Sequence, residues 1–160
     1  MRAVLQRVSR AAVRVGADTL AEVGPGLLVL LAAGQGDGAA EVDWMADKIL
    51  GLRVFPDEDG KMNRSLLETS GALLAVPQFT LYGDCRKGRR PAFTHALAPA
   101  EASALFEAFV ARVRAAGVPC GAGRFGAHMQ VELTNDGPVT LLVDSGLPRR
   151  AGARGFGGEG

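Results

Sequence analysis

The sequence predicts an α/β protein of the α+β kind, a strand-rich and mainly antiparallel sheet with two main helices packed on it. Three observations predict it. Segments that alternate or run apolar outnumber helical ones by about three to one. Only two stretches keep the spacing of a half-buried helix. With 160 residues and 48% hydrophobic side chains, the chain builds one sizeable core and is too short for two ordinary domains.

Ala3-Val4-Leu5-Gln6-Arg7-Val8 and Ala11-Ala12-Val13-Arg14-Val15 read as two strands around a short break at Ser9-Arg10, because apolar and β-branched residues suit a pleated, half-buried surface. Thr19 to Val23 and the unbroken apolar run Leu27 to Ala33 flank Gly24-Pro25-Gly26, whose fixed proline and permissive glycines suit a tight reversal. The second strand of that hairpin is buried on both faces. Val42, Met45, Ala46, Ile49 and Leu50 fall at i, i+3, i+4, i+7 and i+8, which predicts the first helix, capped by Asp37 and ending near Gly51.

Residues 56–63 carry the Pro, Asp and Gly content of turns, and Ala72 to Val76 reads as a buried strand. Pro99 in a first turn, apolar Ala102, Leu105, Phe106, Phe109, Val110 and Val113, and Gly117 with Pro119 as stop signals define the second helix. Ala127, Met129, Val131 and Leu133 then alternate with polar residues as a strand. Asn135-Asp136-Gly137-Pro138 reads as a reversal, and Val139 to Val143 as the last strand. Beyond a domain of residues 1–145, six glycines in fifteen residues predict a flexible Gly/Arg-rich tail, 146–160, with little to offset the entropy of ordering.

Of the net charge of +1, Arg149, Arg150 and Arg154 against Glu159 place +2 in the tail, so residues 1–145 sum to −1. Bulk charge therefore does not announce nucleic acid, although those tail arginines would add a weak, salt-sensitive attraction. The first residues interleave charges with apolar positions, and no apolar run approaches membrane-spanning length, so a cytoplasmic protein with no membrane partner is expected. Cys85 and Cys120 stand far apart without metal-ligand spacing, so neither a disulfide framework nor a zinc site is expected.

Familiar catalytic patterns are missing. No nucleophile elbow surrounds any serine, and the two histidines, His95 and His128, sit in a loop and on the polar face of a strand. No phosphate-cradling loop, metalloprotease helix or calcium loop occurs, so no cofactor and no metal are implied. Two segments are odd for purely structural pieces. Pro77-Gln78-Phe79-Thr80-Leu81 carries a buried strand into an amide, a ring and a hydroxyl, and Asn135-Asp136-Gly137-Pro138-Val139-Thr140 follows later. Taken alone, each reads as a strand end or a turn.

Together these two segments resemble the paired signatures of the D-aminoacyl-tRNA deacylase family. Supporting stretches, in family order from residue 1 to about 145, are Leu5-Gln6-Arg7-Val8, Gly60-Lys61-Met62-Asn63, Arg89-Arg90-Pro91-Ala92-Phe93, Gly123-Arg124-Phe125 and Met129-Gln130-Val131. One departure is Pro77, where the family commonly has serine; proline removes a backbone donor and any hydroxyl contact.

The resemblance implies a barrel-like, deacylase-like fold and hydrolysis of the ester between a D-amino acid and the terminal ribose of transfer RNA, with mischarged glycine a further substrate. It implies catalysis at Gln78, Phe79 and Thr80 by backbone donors that stabilise an oxyanion, the substrate's own vicinal hydroxyl assisting and Thr80 positioning. It places Pro77, Phe125, Met129 and Asn135 in the substrate pocket. Gly137-Pro138 matches a cis dipeptide that reaches into the partner's pocket to exclude L-amino acids, which brings a homodimer. Arg86, Lys87, Arg89 and Arg90 form the one dense basic segment, suited to phosphates near the site. Two rival functions are a catalytically silent RNA-binding module, against which the 6% aromatic content counts, and a small-molecule D-amino-acid esterase.

Overall fold

In a computed structural model the described residues are 1–146; from Leu147 onward the expected tail, with Arg149, Arg150 and Arg154, lies outside them. The described elements are β1 (Arg2–Val15), β2 (Asp18–Val23), β3 (Gly26–Ala32), α1 (Ala39–Gly51), β4 (Phe55–Pro56), β5 (Met62–Arg64), β6 (Ala72–Pro77), α2 (Pro99–Ala115), β7 (Cys120–Ala122) and β8 (Gln130–Asp144). β1 is the spine of the sheet. One of its edges carries β8 along nearly its whole length; the other pairs with β3 through residues 2–8 and with β2 through residues 11–15, all antiparallel. β3 continues in parallel to β6, and β6 in parallel to β7.

The sheet then curls until β7 meets β2. A Cβ added at Gly121 would come within 2.8 Å of the Ala21 methyl, so this closure needs a residue without a side chain. The result is a nearly closed, barrel-like sheet.

Strand periodicity splits the apolar residues into two cores. Leu27, Val29, Leu31, Leu73 and Ala75 face the helices, where they meet Met45 and Ile49 of α1 and Phe109 and Val113 of α2. Leu28, Leu74 and Val76 face the inside of the curl with Val8, Ala11, Val13 and Val23. This two-faced burial explains the unbroken apolar run of β3. Phe109 is fully buried, and truncating it to alanine costs about 3–5 kcal/mol.

Several local readings change. β2 and β3 form no hairpin: both pair with β1, on its residues 11–15 and 2–8, so Gly24-Pro25-Gly26 carries the chain from one half of β1 to the other. Ser9-Arg10 is no break: β1 runs through, and the step from Val8 opposite Asn135 to Arg10 opposite Thr134 is a one-residue bulge. That extra residue moves Ala11 and Val13 to the inner face, opposite to the face of Ala3 and Leu5. Asp37 does not cap α1. The N-cap is Gly38, whose N–H donates to Glu41 at 2.8 Å, while Asp37 accepts from Gly34 N–H at 2.6 Å and pairs with the ammonium of buried Met1 at 2.7 Å. A buried ammonium needs a counter-charge more than a helix start needs a side-chain cap.

Asn135-Asp136-Gly137-Pro138 is not a reversal either. β8 is one strand of 15 residues, and between Gln6 opposite Thr140 and Val8 opposite Asn135 it throws out residues 136–139 before resuming its register. The turn-rich stretch 56–63 holds the small β4–β5 ribbon, folded around Asp57, whose carboxylate accepts from the Asp59 and Lys61 amides and from Asn63. Those bonds hold the Asp57 carboxyl below its ordinary range, Asn63 contributing most. β7 has no counterpart in the sequence expectations.

Candidate active site

β6 ends where the first odd segment begins. Pro77 has no amide to give, and the ladder's next bond comes from Gln78 N–H to the Leu31 carbonyl at 2.8 Å. The chain then tightens into a 3-10 turn, Phe79–Tyr82, closed by Leu81 N–H to Gln78 (3.2 Å) and Gly83 N–H to Thr80 (2.9 Å). A helical turn leaves its first amides without partners, and the N–H groups of Phe79 and Thr80 meet no acceptor among the described residues. The Gln78 side-chain amide donates to the Thr80 hydroxyl.

Beside this turn lies a cleft of about 620 Å³. Pro77, Gln78, Phe79, Phe125 and Met129 of the expected site line it, as do Phe93, His128 and the Leu97–Pro99 approach to α2. Thr80 is exposed just outside the lining. Phe79 is 52% exposed and meets Phe93 edge to face, ring centroids 5.0 Å apart. Three of the chain's seven phenylalanines thus converge, so a low aromatic content does not prevent a stacking surface. Phe93 and His128 were not foreseen as site residues; Phe93 closes the quoted Arg89–Phe93 stretch, which was the available signal.

Behind the turn, Arg2 fixes its far end. Its Nη1 donates to the Leu81 carbonyl at 3.2 Å, its Nε pairs with Asp144 at 2.7 Å, and its guanidinium lies 4.6 Å from the Tyr82 ring centroid. Burial pushes the Tyr82 phenol above its ordinary pKa, and the nearby Asp37 carboxylate adds to this. Tyr82 packs directly on Gly34, where a Cβ would come within 2.5 Å of the ring.

The second odd segment stands apart from the cleft within one chain. Gly137 and Pro138 are exposed and do not line it, and their peptide bond is cis. Asn135 does not line it either. Its side chain braces the excursion, donating to Gln6 (3.1 Å), the Val139 carbonyl (3.0 Å) and Thr140 (3.2 Å), and accepting from Val139 N–H (2.9 Å). From the other side, Arg7 donates to the Asp136 carbonyl at 2.8 Å and to the Val54 carbonyl at 2.6 Å. Gln6 and Arg7 of the quoted Leu5–Val8 stretch are thus the clamp on this loop.

The basic segment is the tip of a loop closed by paired backbone bonds between Asp84 and Ala92. Arg86 is held by the Asp84 carboxylate at 2.9 and 2.7 Å, which keeps that carboxyl far below its ordinary range. Lys87, Arg89 and Arg90 are exposed, with no ion pair among the described residues. His95 faces a separate polar cavity with Arg86 and Asp84, so the two histidines do not share a site. Among the described residues no cluster of His, Cys, Asp or Glu is placed to hold a metal, and no helix is long and apolar enough to cross a membrane.

Known proteins sharpen this geometry. A D-aminoacyl-tRNA deacylase of Symbiobacterium thermophilum is 57% identical over 145 residues, covering 91% of this chain and 96% of that protein. One from Clostridioides difficile is also 57% identical, covering 91% and 97%. A solved structure described as c-Myc DNA Unwinding Element Binding Protein matches with a TM-score of 0.85 at 40% identity, over 91% of this chain and 99% of that one. Another, of a probable eukaryotic D-amino acid tRNA deacylase, has a TM-score of 0.75 at 22% identity over 89% and 97%, a likeness of fold. The family described as D-Tyr-tRNA(Tyr) deacylase matches residues 4–144, a span that includes both odd segments, and the chain belongs to that family.

Proposed function

We propose that this protein hydrolyses the ester between a D-amino acid and the 3′-terminal ribose of transfer RNA, and that glycine on transfer RNA is removed by the same route. In this reading it works in the cytoplasm as a homodimer, in which Gly137-Pro138 of each subunit guards the cleft of the other. The observation that carries the reading is the turn after β6, two unpartnered amides beside an aromatic cleft, in a chain 57% identical to proteins named for this activity.

An aminoacyl ester is activated by the hydroxyl next to it, so the protein's task is to orient it and to stabilise the charge that develops on its carbonyl oxygen. The Phe79 and Thr80 amides are donors that need no proton transfer of their own. As water attacks the carbonyl carbon, the oxygen gains charge toward them; the carbon–ribose oxygen bond then breaks, and the ribose oxygen takes the proton that the water gives up, relayed by the vicinal hydroxyl. Thr80, tied to the Gln78 amide, positions the ester. Phe79, Phe93 and Phe125 offer aromatic surface to the terminal base, whose stacking contributes about 1–3 kcal/mol. Lys87, Arg89 and Arg90 supply charge for the acceptor stem.

A homodimer is supported by β8. Its edge away from β1 is unpaired among the described residues, and Leu133, Leu141 and Leu142 stand exposed along it, Leu142 at 67%. A long, apolar, open edge strand is a surface for association. Ordinary pocket contacts separate close analogues by only about 1–3 kcal/mol, so rejecting the L form calls for rigid exclusion, and a braced loop from a second subunit provides it.

The test is deacylation of matched D- and L-tyrosyl-tRNA by the purified protein, alongside a D-aminoacyl adenosine ester. Hydrolysis of the D- but not the L-aminoacyl-tRNA, with the adenosine ester hydrolysed at a lower kcat/KM than the RNA, supports the reading. Binding without hydrolysis favours a silent RNA-binding module, and activity on simple D-amino-acid esters with no preference for the RNA favours a small-molecule esterase.

A further inference from the structure

On the other side of Phe125 from the cleft is a second hollow, of about 520 Å³, between α2 and the segment that follows β7. Phe125 lines both spaces. Leu20, Phe106 and Val110 give the hollow an apolar wall, and Arg114, Arg124 and Glu107 bring charge to it. Arg114 spends Nε and Nη2 on the Cys120 carbonyl, at 3.1 and 2.8 Å, which leaves Nη1 uncommitted. The Arg124 guanidinium is exposed and has neither an ion pair nor a hydrogen bond among the described residues.

The root of Arg124 is nonetheless fixed. Gly123 N–H donates to the Ala75 carbonyl of β6 at 2.8 Å, and Arg124 N–H contacts the sulfur of Met129, itself a wall of the cleft, at 3.3 Å. Two guanidiniums against one carboxylate leave the hollow at net +1.

We infer that this hollow seats the nucleotide that precedes the terminal one in the substrate RNA, with Arg124 and Arg114 on its phosphodiester and its base against the apolar wall. The inference rests on the reading that the cleft takes the 3′-terminal aminoacyl nucleoside. A strand leaving the cleft past Phe125 enters the hollow directly. Its mixed lining fits a nucleotide, apolar surface for a base and planar cations for phosphate oxygens. Of the loop at residues 86–90 only Arg86 lines a cavity, and its charge is already neutralised by Asp84.

Deacylation kinetics of the full-length chain separate these possibilities. Substrates are D-tyrosyl-tRNA and the 3′-D-tyrosyl ester of adenosine, which has no upstream phosphodiester. Arg124→Gln is expected to lower kcat/KM on the RNA substrate about tenfold at low salt, through KM, as loss of a charged hydrogen bond would. The slope of log(kcat/KM) against log[salt] becomes shallower by about 0.7, one single-strand phosphate contact. The adenosine ester is hydrolysed at the unchanged rate, and Arg124→Lys recovers part of the loss. Glu107→Gln acts in the opposite direction and lowers KM on the RNA substrate alone, which structural damage would not do.

An undiminished KM effect on the adenosine ester, or no effect of Arg124→Gln on the RNA substrate, overturns the inference. If the wild-type protein hydrolyses neither substrate, the deacylase reading itself fails and this inference falls with it.

Discussion

Residue by residue the turn after β6 reads as a strand end and loop and the excursion in β8 as a chain reversal, and the fold gives them opposite settings. Residues 77–82 continue a strand buried on both faces and line the cleft through Pro77, Gln78 and Phe79, while Arg2 fixes the far end at Leu81 and Tyr82. Residues 136–139 leave an exposed strand, do not line the cleft beside the turn, and are stiffened by Asn135 and Arg7. Under the proposed function the contrast is a division of labour: the core places the chemistry, and a braced loop supplies selection to the cleft of another subunit.

The largest expected effect removes a donor from the turn. Phe79 is the first residue of a helical turn, where proline is tolerated, so Phe79→Pro deletes the N–H and Phe79→Ala deletes only the ring. Single-turnover kcat on D-aminoacyl-tRNA should be about 10²–10³-fold lower in the proline variant than in the alanine variant, the usual cost of one oxyanion donor. Equal rates in the two would take the amide out of the chemistry.

The next effect belongs to the loop. Removing the exposed Pro138 ring by Pro138→Ala should raise hydrolysis of L-aminoacyl-tRNA by about 100-fold, equivalent to ~2.7 kcal/mol of lost exclusion, while the D rate stays within about threefold. Asn135→Ala should then blur the two regions. It breaks the braces of the excursion, lowering stability by about 1–3 kcal/mol in urea melts and eroding L-rejection before it slows the D reaction.

Thr80→Ala should cost less than about tenfold in kcat if, as proposed, the hydroxyl positions the ester and does not attack it. Abolition of single-turnover hydrolysis with unchanged affinity would make it the nucleophile. The smallest effect is on the thiols. Burial pushes Cys120 up to about 11, so at pH 8 a thiol-alkylating reagent should label exposed Cys85 well before Cys120, leaving activity on D-aminoacyl-tRNA unchanged at that stage.

Much of the fold was legible because periodicity reports burial. Val42 to Leu50 and Ala102 to Val113 marked α1 and α2, and Pro99 occupies the first turn of α2. What was lost depends on partners far along the chain. Ser9 looks like a break until β8 pairs across it, and Asn135-Asp136-Gly137-Pro138 looks like a hairpin turn until β1 is seen to carry β8 on both sides of it. Three-residue β7 exists because β6 offers an edge to it, and Cys120-Gly121-Ala122 alone carries no strand signal. In the site, Gln78 and Phe79 were visible as polar and aromatic oddities at a strand end. Phe93 was hidden because its loop is brought to the cleft by the Asp84–Ala92 backbone pair and not by any local pattern.

The most direct test of the division of labour mixes two broken chains. Phe79→Pro has a dead cleft and an intact loop, and Pro138→Ala a live cleft and a broken loop. In a purified heterodimer of the two, the live cleft faces the intact loop, so D-aminoacyl-tRNA should be hydrolysed at about half the wild-type rate per dimer, one live cleft of two, with L-rejection restored. If the heterodimer still hydrolyses L-aminoacyl-tRNA at about half the rate of the Pro138→Ala homodimer, one live cleft of two, the loop acts within its own chain and the account is wrong.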